Sequence, residues 1–189
     1  MATQTSPLSP HAGPPAKDGP WALEVALFEP RPELARVLLD GLLRRSVAAH
    51  FTDLEALARC CRELQPAAVA LPLSLTTAGP ELEQAVLAFL RAFGRRAAVV
   101  VYADTARLSV AEYSRPLAAG ARRVLNEAAP TFVEDLCALL GQLVEDHRAQ
   151  LEEEHRLSAV MARHGLVGNS PALREVFRRA LRAAHFSDL

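Results

Sequence analysis

The sequence predicts a doubly wound α/β domain built on a five-stranded parallel sheet. Short apolar runs alternate strictly with amphipathic helical segments, and the connections between them are short. The strongest strand signal, Ala97 to Tyr102, is continuously apolar, as burial on both faces of a sheet requires. Half of the 189 residues are hydrophobic, enough for a substantial core.

The elements follow in order. Residues 1–20 are rich in Pro, Ser, Thr and Gly and read as a disordered leader, with no basic and apolar regions of a secretory signal. Leu23 to Phe28 reads as a buried strand stopped by Pro30 and Pro32. Glu33 to Arg45 has helical spacing, with Leu34, Val37 and Leu38 on one side. Ser46 to Phe51 is β-like. Thr52 or Asp53 caps a helix from Leu54 to Leu64. Ala67 to Leu71 is a strand stopped by Pro72, and a Thr- and Gly-containing loop leads to a helix from Glu81 to Phe93, ended by Gly94. After the Ala97 strand, Asp104 and Thr105 lie in a loop. A weaker helix covers Val110 to Ala119, Gly120 ends it, and Arg123 to Leu125 is the fifth strand. From Thr131 a long helical stretch begins. With about 120 residues for the α/β part, the economical topology is the flavodoxin-like one, whose functional groups gather at the carboxyl ends of the strands.

Composition excludes several functions. A net charge of −1 gives no bulk attraction to nucleic acid. No apolar stretch approaches the roughly 20 residues that span a bilayer, so a cytoplasmic location is expected. Of the three cysteines, Cys60 and Cys61 are adjacent and Cys137 is remote. That pattern is neither a disulfide framework nor a zinc set and suggests buried thiols. No Ser-His-Asp or Cys-His arrangement suggests a hydrolase, and His50 reads as a strand residue rather than a ligand.

At the strand ends the sequence resembles bacterial response-regulator receiver domains over residues 22–145. The resemblance rests on Phe28-Glu29-Pro30-Arg31-Pro32-Glu33-Leu34, on Phe51 to Cys61 with its Glu55-Ala56-Leu57 core, and on Ala119-Gly120-Ala121-Arg122-Arg123-Val124-Leu125. It implies two acids after the first strand for Mg²⁺, a phosphoaccepting Asp after the third, a hydroxyl after the fourth and a Lys after the fifth. Here those positions hold Glu29 and Pro30, Pro72, Tyr102 (or Ala103 next to it), and Glu127 (or Asn126 in the adjacent register). No Asp or Glu lies between Gln65 and Pro80 to replace the acceptor. A pseudo-receiver is therefore expected, without catalytic or metal-binding residues. Glu29 is expected as a solvated turn carboxylate, Asp104 as a loop cap, and Tyr102 either as a signalling surface or as the edge of the core.

Beyond the α/β part, residues 131–164 read as the last receiver helix and a signalling linker. Leu136, Leu140 and Leu143 form a heptad-like seam expected to pair two copies. Charged residues from Glu145 to Arg156 read as a solvated helix face. Residues 165–189 contain Leu166-Val167-Gly168-Asn169-Ser170-Pro171-Ala172-Leu173-Arg174, which resembles the opening of the AAA+ module in NtrC-type, sigma-54-dependent activators. Leu166, Val167 and Gly168 would then be part of an adenine pocket. Ser170 and Pro171 would start a helix with Leu173, Val176, Phe177, Ala180 and Leu181 on its apolar side. No phosphate-binding loop occurs, so ATP and Mg²⁺ are expected only for an intact AAA+ domain. Sigma-54 RNA polymerase and DNA would be reached through downstream parts. The resemblance implies a regulatory region that controls AAA+ assembly without aspartyl phosphorylation and is no self-sufficient enzyme. The alternative is a stand-alone flavodoxin-like module that binds a protein or small ligand.

Overall fold

The structure is a computed structural model that describes residues 23–44, 46–73, 79–165 and 170–187. Two compact units divide after Val144.

The first unit holds β1 (Val25–Phe28), α1 (Pro32–Leu42), β2 (Ala48–Phe51), α2 (Leu54–Glu63), β3 (Ala68–Pro72), α3 (Gly79–Phe93), β4 (Ala98–Ala103), α4 (Val110–Ala119), β5 (Arg123–Asn126) and the first part of α5 (Phe132–Arg163). All strands are parallel, in the order β2-β1-β3-β4-β5. The chain winds outward from β1 to β2, then returns past β1 to β3. The topological switch point therefore lies between β1 and β3. The elements match the sequence reading to within a few residues at their ends.

Alternation along the strands separates two cores. Val25, Leu27, Val100 and Tyr102 pack with Leu38 and Leu42 of α1 and with Phe132, Leu136, Leu140 and Leu143 of α5. Ala26, Phe28, Val99 and Val101 pack on the other side with Leu57, Cys60 and Cys61 of α2 and with Val86, Phe89, Leu90 and Phe93 of α3. Burial pushes the Cys60 thiol up to about 11 and the Cys61 thiol up to about 12. The pair is thus packing material with suppressed thiolate chemistry.

Local chemistry sets the helix ends. Asp53 caps α2 by accepting from the Glu55 and Ala56 amides. Ser109 and Glu112 close a capping box on α4, which offsets the weakness that Pro116 gives that helix. Asp104 caps a 3₁₀ turn, Thr105–Arg107, and pairs with Arg107, as expected of a loop-capping residue. The Leu136-Leu140-Leu143 seam faces the domain's own core, with all three leucines buried there. A core-facing stripe and a coiled-coil seam share nearly the same period, and here the periodicity is explained within one chain.

The second unit contains the rest of α5 and α6 (Pro171–Ser187). Glu153 and Glu154 of α5, expected as a solvated face, pair with Arg178 and Arg174 of α6. Leu157 and Met161 are buried, whereas Val176, assigned to the apolar side of α6, is 64% exposed. Leu166, Val167 and Gly168 lie outside the described residues.

Gly94 and Gly120 end α3 and α4 where two turns press together. A Cβ on Gly94 would meet the Gly120 carbonyl oxygen and, at 2.7 Å, that of Leu90. Both obstacles are backbone and cannot rotate away. Gly94→Ala is expected to lower unfolding free energy by about 1–3 kcal/mol in urea denaturation.

Candidate functional site

Functional side chains converge at the carboxyl ends of β1, β4 and β5. Glu29 immediately follows β1, and its amide donates to the Phe51 carbonyl at the end of β2. Prolines set the geometry of the next three residues. Pro30 has a fixed φ, and a residue that precedes proline is driven away from helical conformation. Arg31, between Pro30 and Pro32, is held extended at φ −85°, ψ 108° as the N-cap of α1. Its side chain and amide both turn back toward Glu29.

The resulting pair is dense with hydrogen bonds. Arg31 Nε donates to Glu29 Oε1 at 2.8 Å, and Arg31 Nη2 donates to Oε2 at 2.8 Å. The Arg31 amide donates to Oε1 at 2.9 Å. From β4, the Tyr102 hydroxyl donates to Oε2 at 2.7 Å. A carboxylate offers about four lone-pair sites, so Glu29 has none left. Every partner is a donor.

Three further contacts extend the cluster. Arg31 Nη2 also donates to Glu127 Oε2 at 2.8 Å, which ties the loop after β1 to the loop after β5. The Glu127 amide donates to the Ala103 carbonyl, so the position of Glu127 is fixed by the sheet itself. His50 Nε2 lies 2.7 Å from the Glu29 carbonyl oxygen. That oxygen only accepts, so Nε2 carries the hydrogen.

Burial makes these contacts matter. The Glu29 side chain is fully inaccessible, whereas that of Arg31 is 40% exposed and that of Glu127 19%. The hydrogen bonds that Arg31 donates to Glu29, opposed by burial and helped by the Glu127 carboxylate, raise the Arg31 pKa further above its ordinary value. Tyr102 is raised well above 10.0, chiefly by burial and then by the adjacent Glu29 charge. Its ring packs 5.2 Å from that of Phe132.

Several expectations change here. Glu29 is not a solvated turn carboxylate but the only fully buried acid among the described residues. Tyr102 is core, with its hydroxyl directed inward to Glu29. Glu127, which occupies the lysine position of the resemblance, is brought into the same cluster through Arg31. Pro30 contributes the turn and no carboxylate. Pro72 pairs with Tyr102 at the end of β3, beyond the last β1 partner Ala70, so its missing N–H leaves no ladder gap toward β1. Arg31 and His50 were not assigned to the site from the sequence. The readable signal for Arg31 was a cation flanked by prolines, two residues beyond an acid at a strand end.

The resemblance implies a divalent cation at this acid, but the residues do not fit one. A divalent metal needs carboxylate oxygens with free lone pairs, and those of Glu29 are fully engaged by Arg31 and Tyr102.

Among solved structures, the fold is that of response-regulator receiver domains. The signal receiver domain of a Luxo repressor protein from Vibrio parahaemolyticus shares 17% identity, with a TM-score of 0.53, over 69% of this chain and 95% of that one. An orphan response regulator of H. pylori shares 16%, with a TM-score of 0.51, over 66% and 98%. An atypical orphan response regulator described as having a phosphorylation-independent regulatory mechanism shares 16%, with a TM-score of 0.52, over 65% and 96%. No protein-family model matches the sequence, and no curated protein matches it either.

The two contacts beside the Glu29–Arg31 pair should differ in weight. Tyr102→Phe removes a buried bond to a charged group and is expected to cost roughly 1.5–3 kcal/mol. Glu127→Gln loosens a partly exposed pair and should cost less than about 1 kcal/mol. Because the folded-state pKa of Tyr102 is raised, its contribution is fully present below the unfolded value near 10.0 and is lost as pH rises through the folded value. The urea midpoint of the wild type should therefore fall above pH 10 more steeply than that of Tyr102→Phe.

Proposed function

We propose that the chain is the regulatory pseudo-receiver region of a sigma-54-dependent transcriptional regulator of the NtrC type. In this reading it controls AAA+ assembly without aspartyl phosphorylation. The chain is then no self-sufficient enzyme and needs no cofactor of its own, and its input is a protein contact or a ligand. It works in the cytoplasm.

One observation carries the reading. Pro72 ends β3, the position that the sequence resemblance assigns to the phosphoacceptor, and a proline has no atom that can attack a phosphoryl group. The saturated Glu29 supports it, since the acid that would help organise phosphoryl transfer has no free lone pair. The inward Tyr102 adds to this, because its hydroxyl is already bonded. The sigma-54 part rests on the string Leu166 to Arg174 and on the helix that begins at Pro171.

Incubation with acetyl phosphate and Mg²⁺, followed by intact-mass measurement, should yield no phosphoryl adduct. A hydroxylamine-labile adduct would contradict the phosphorylation-independent reading. For the transcriptional part, in-frame removal of codons 23–144 from the native gene should change expression from sigma-54-dependent promoters. Unchanged expression would count against it.

A further inference from the structure

We propose that Arg31 is the resident cation of this pocket, a covalently tethered guanidinium that stands in place of a divalent metal and closes Glu29 and Glu127 to one. The inference deepens the reading above for the same site, but its warrant is the local geometry and not the transcriptional role.

Consider the pocket without the guanidinium. Two carboxylates remain, Glu29 after β1 and Glu127 after β5. Arg31 Nη2 lies 2.8 Å from an oxygen of each, so a single small cationic centre reaches both. Such a set offers only oxygen donors and two negative charges, the environment that hard divalent cations prefer. With Arg31 present, its planar fork matches the Glu29 carboxylate in a bidentate fashion, which an ammonium could not do.

Tethering removes the need to recruit an ion from solution. The Pro30-Arg31-Pro32 sequence narrows the backbone to the extended form that returns the guanidinium to the residue two positions back. A tethered group holds a high effective concentration at its partner whatever the solution contains. The pocket thus keeps the electrostatic neutralisation that a metal would provide and loses the dependence on metal supply. The same guanidinium fixes the distance between the loops after β1 and β5.

The test uses the full chain and Mn²⁺ alone, with binding followed by water-proton relaxation and folding by thermal denaturation. Wild type should show no Mn²⁺-dependent rise in melting temperature. Arg31→Ala should bind Mn²⁺ about tenfold or more tightly than wild type and should be stabilised by it, as any ligand selective for the folded state stabilises that state. Arg31→Gln is the second variant, since its amide still donates to Glu29 and preserves part of the packing. It should show the same gain in smaller measure. Arg31→Ala/Glu127→Gln should lose most of the gain. If Arg31→Ala is unfolded in metal-free buffer, recovery of a cooperative transition on Mn²⁺ addition is the supporting result. Equal Mn²⁺ affinity in wild type and both Arg31 variants would overturn the proposal, as would the absence of any Mn²⁺ effect on either variant. Neither result depends on whether wild type accepts a phosphoryl group.

Discussion

The salt bridge between Glu29 and Arg31 is the constraint around which the carboxyl end of the sheet is arranged. A carboxylate with no solvent access is costly unless charge and hydrogen bonds both compensate it. Here one arginine supplies the charge and three of the four hydrogen bonds, and Tyr102 supplies the fourth. Removing either partner strands the other. The pair is bidentate and nearly local in sequence, so little chain entropy opposes it. Its outer side stays wet because Arg31 is part exposed, which lessens the desolvation cost to the cation.

Other features of the site follow from that pair. Tyr102 is held inward because its hydroxyl has a strong acceptor inside the core and its ring rests against Phe132 of α5. Glu127 is recruited by the same guanidinium nitrogen, Nη2, that donates to Glu29. The loops after β1 and β5 flank the switch point and the far edge of the sheet, yet a single side chain connects them. Among the described residues, Glu29, Arg31, Tyr102 and Glu127 form one connected network of hydrogen bonds.

The fold was readable because its signals are local. Ala97 to Tyr102 could be little other than a buried strand, and the turn residues Pro72, Gly94 and Gly120 punctuate the chain where elements end. The site was less readable because its chemistry is long-range. Nothing within a few residues of Glu29 announces that the Tyr102 hydroxyl, 73 positions away, will seal it from water. Judged alone, Glu29 between Phe28 and Pro30 looks like a turn carboxylate. The heptad-like leucines of α5 illustrate the same limit. Their spacing fits a core stripe and an intermolecular seam about equally, and only the sheet packed against Leu136 and Leu140 decides for the core.

The central claim, that Glu29 and Arg31 act as one unit, is tested most directly by a double-mutant cycle. Glu29→Gln, Arg31→Gln and the double variant would be unfolded in urea beside wild type at neutral pH. The account predicts a coupling energy of about 1–3 kcal/mol, with the double variant more stable than Arg31→Gln alone. Additivity of the two single effects to within about 0.5 kcal/mol would contradict it.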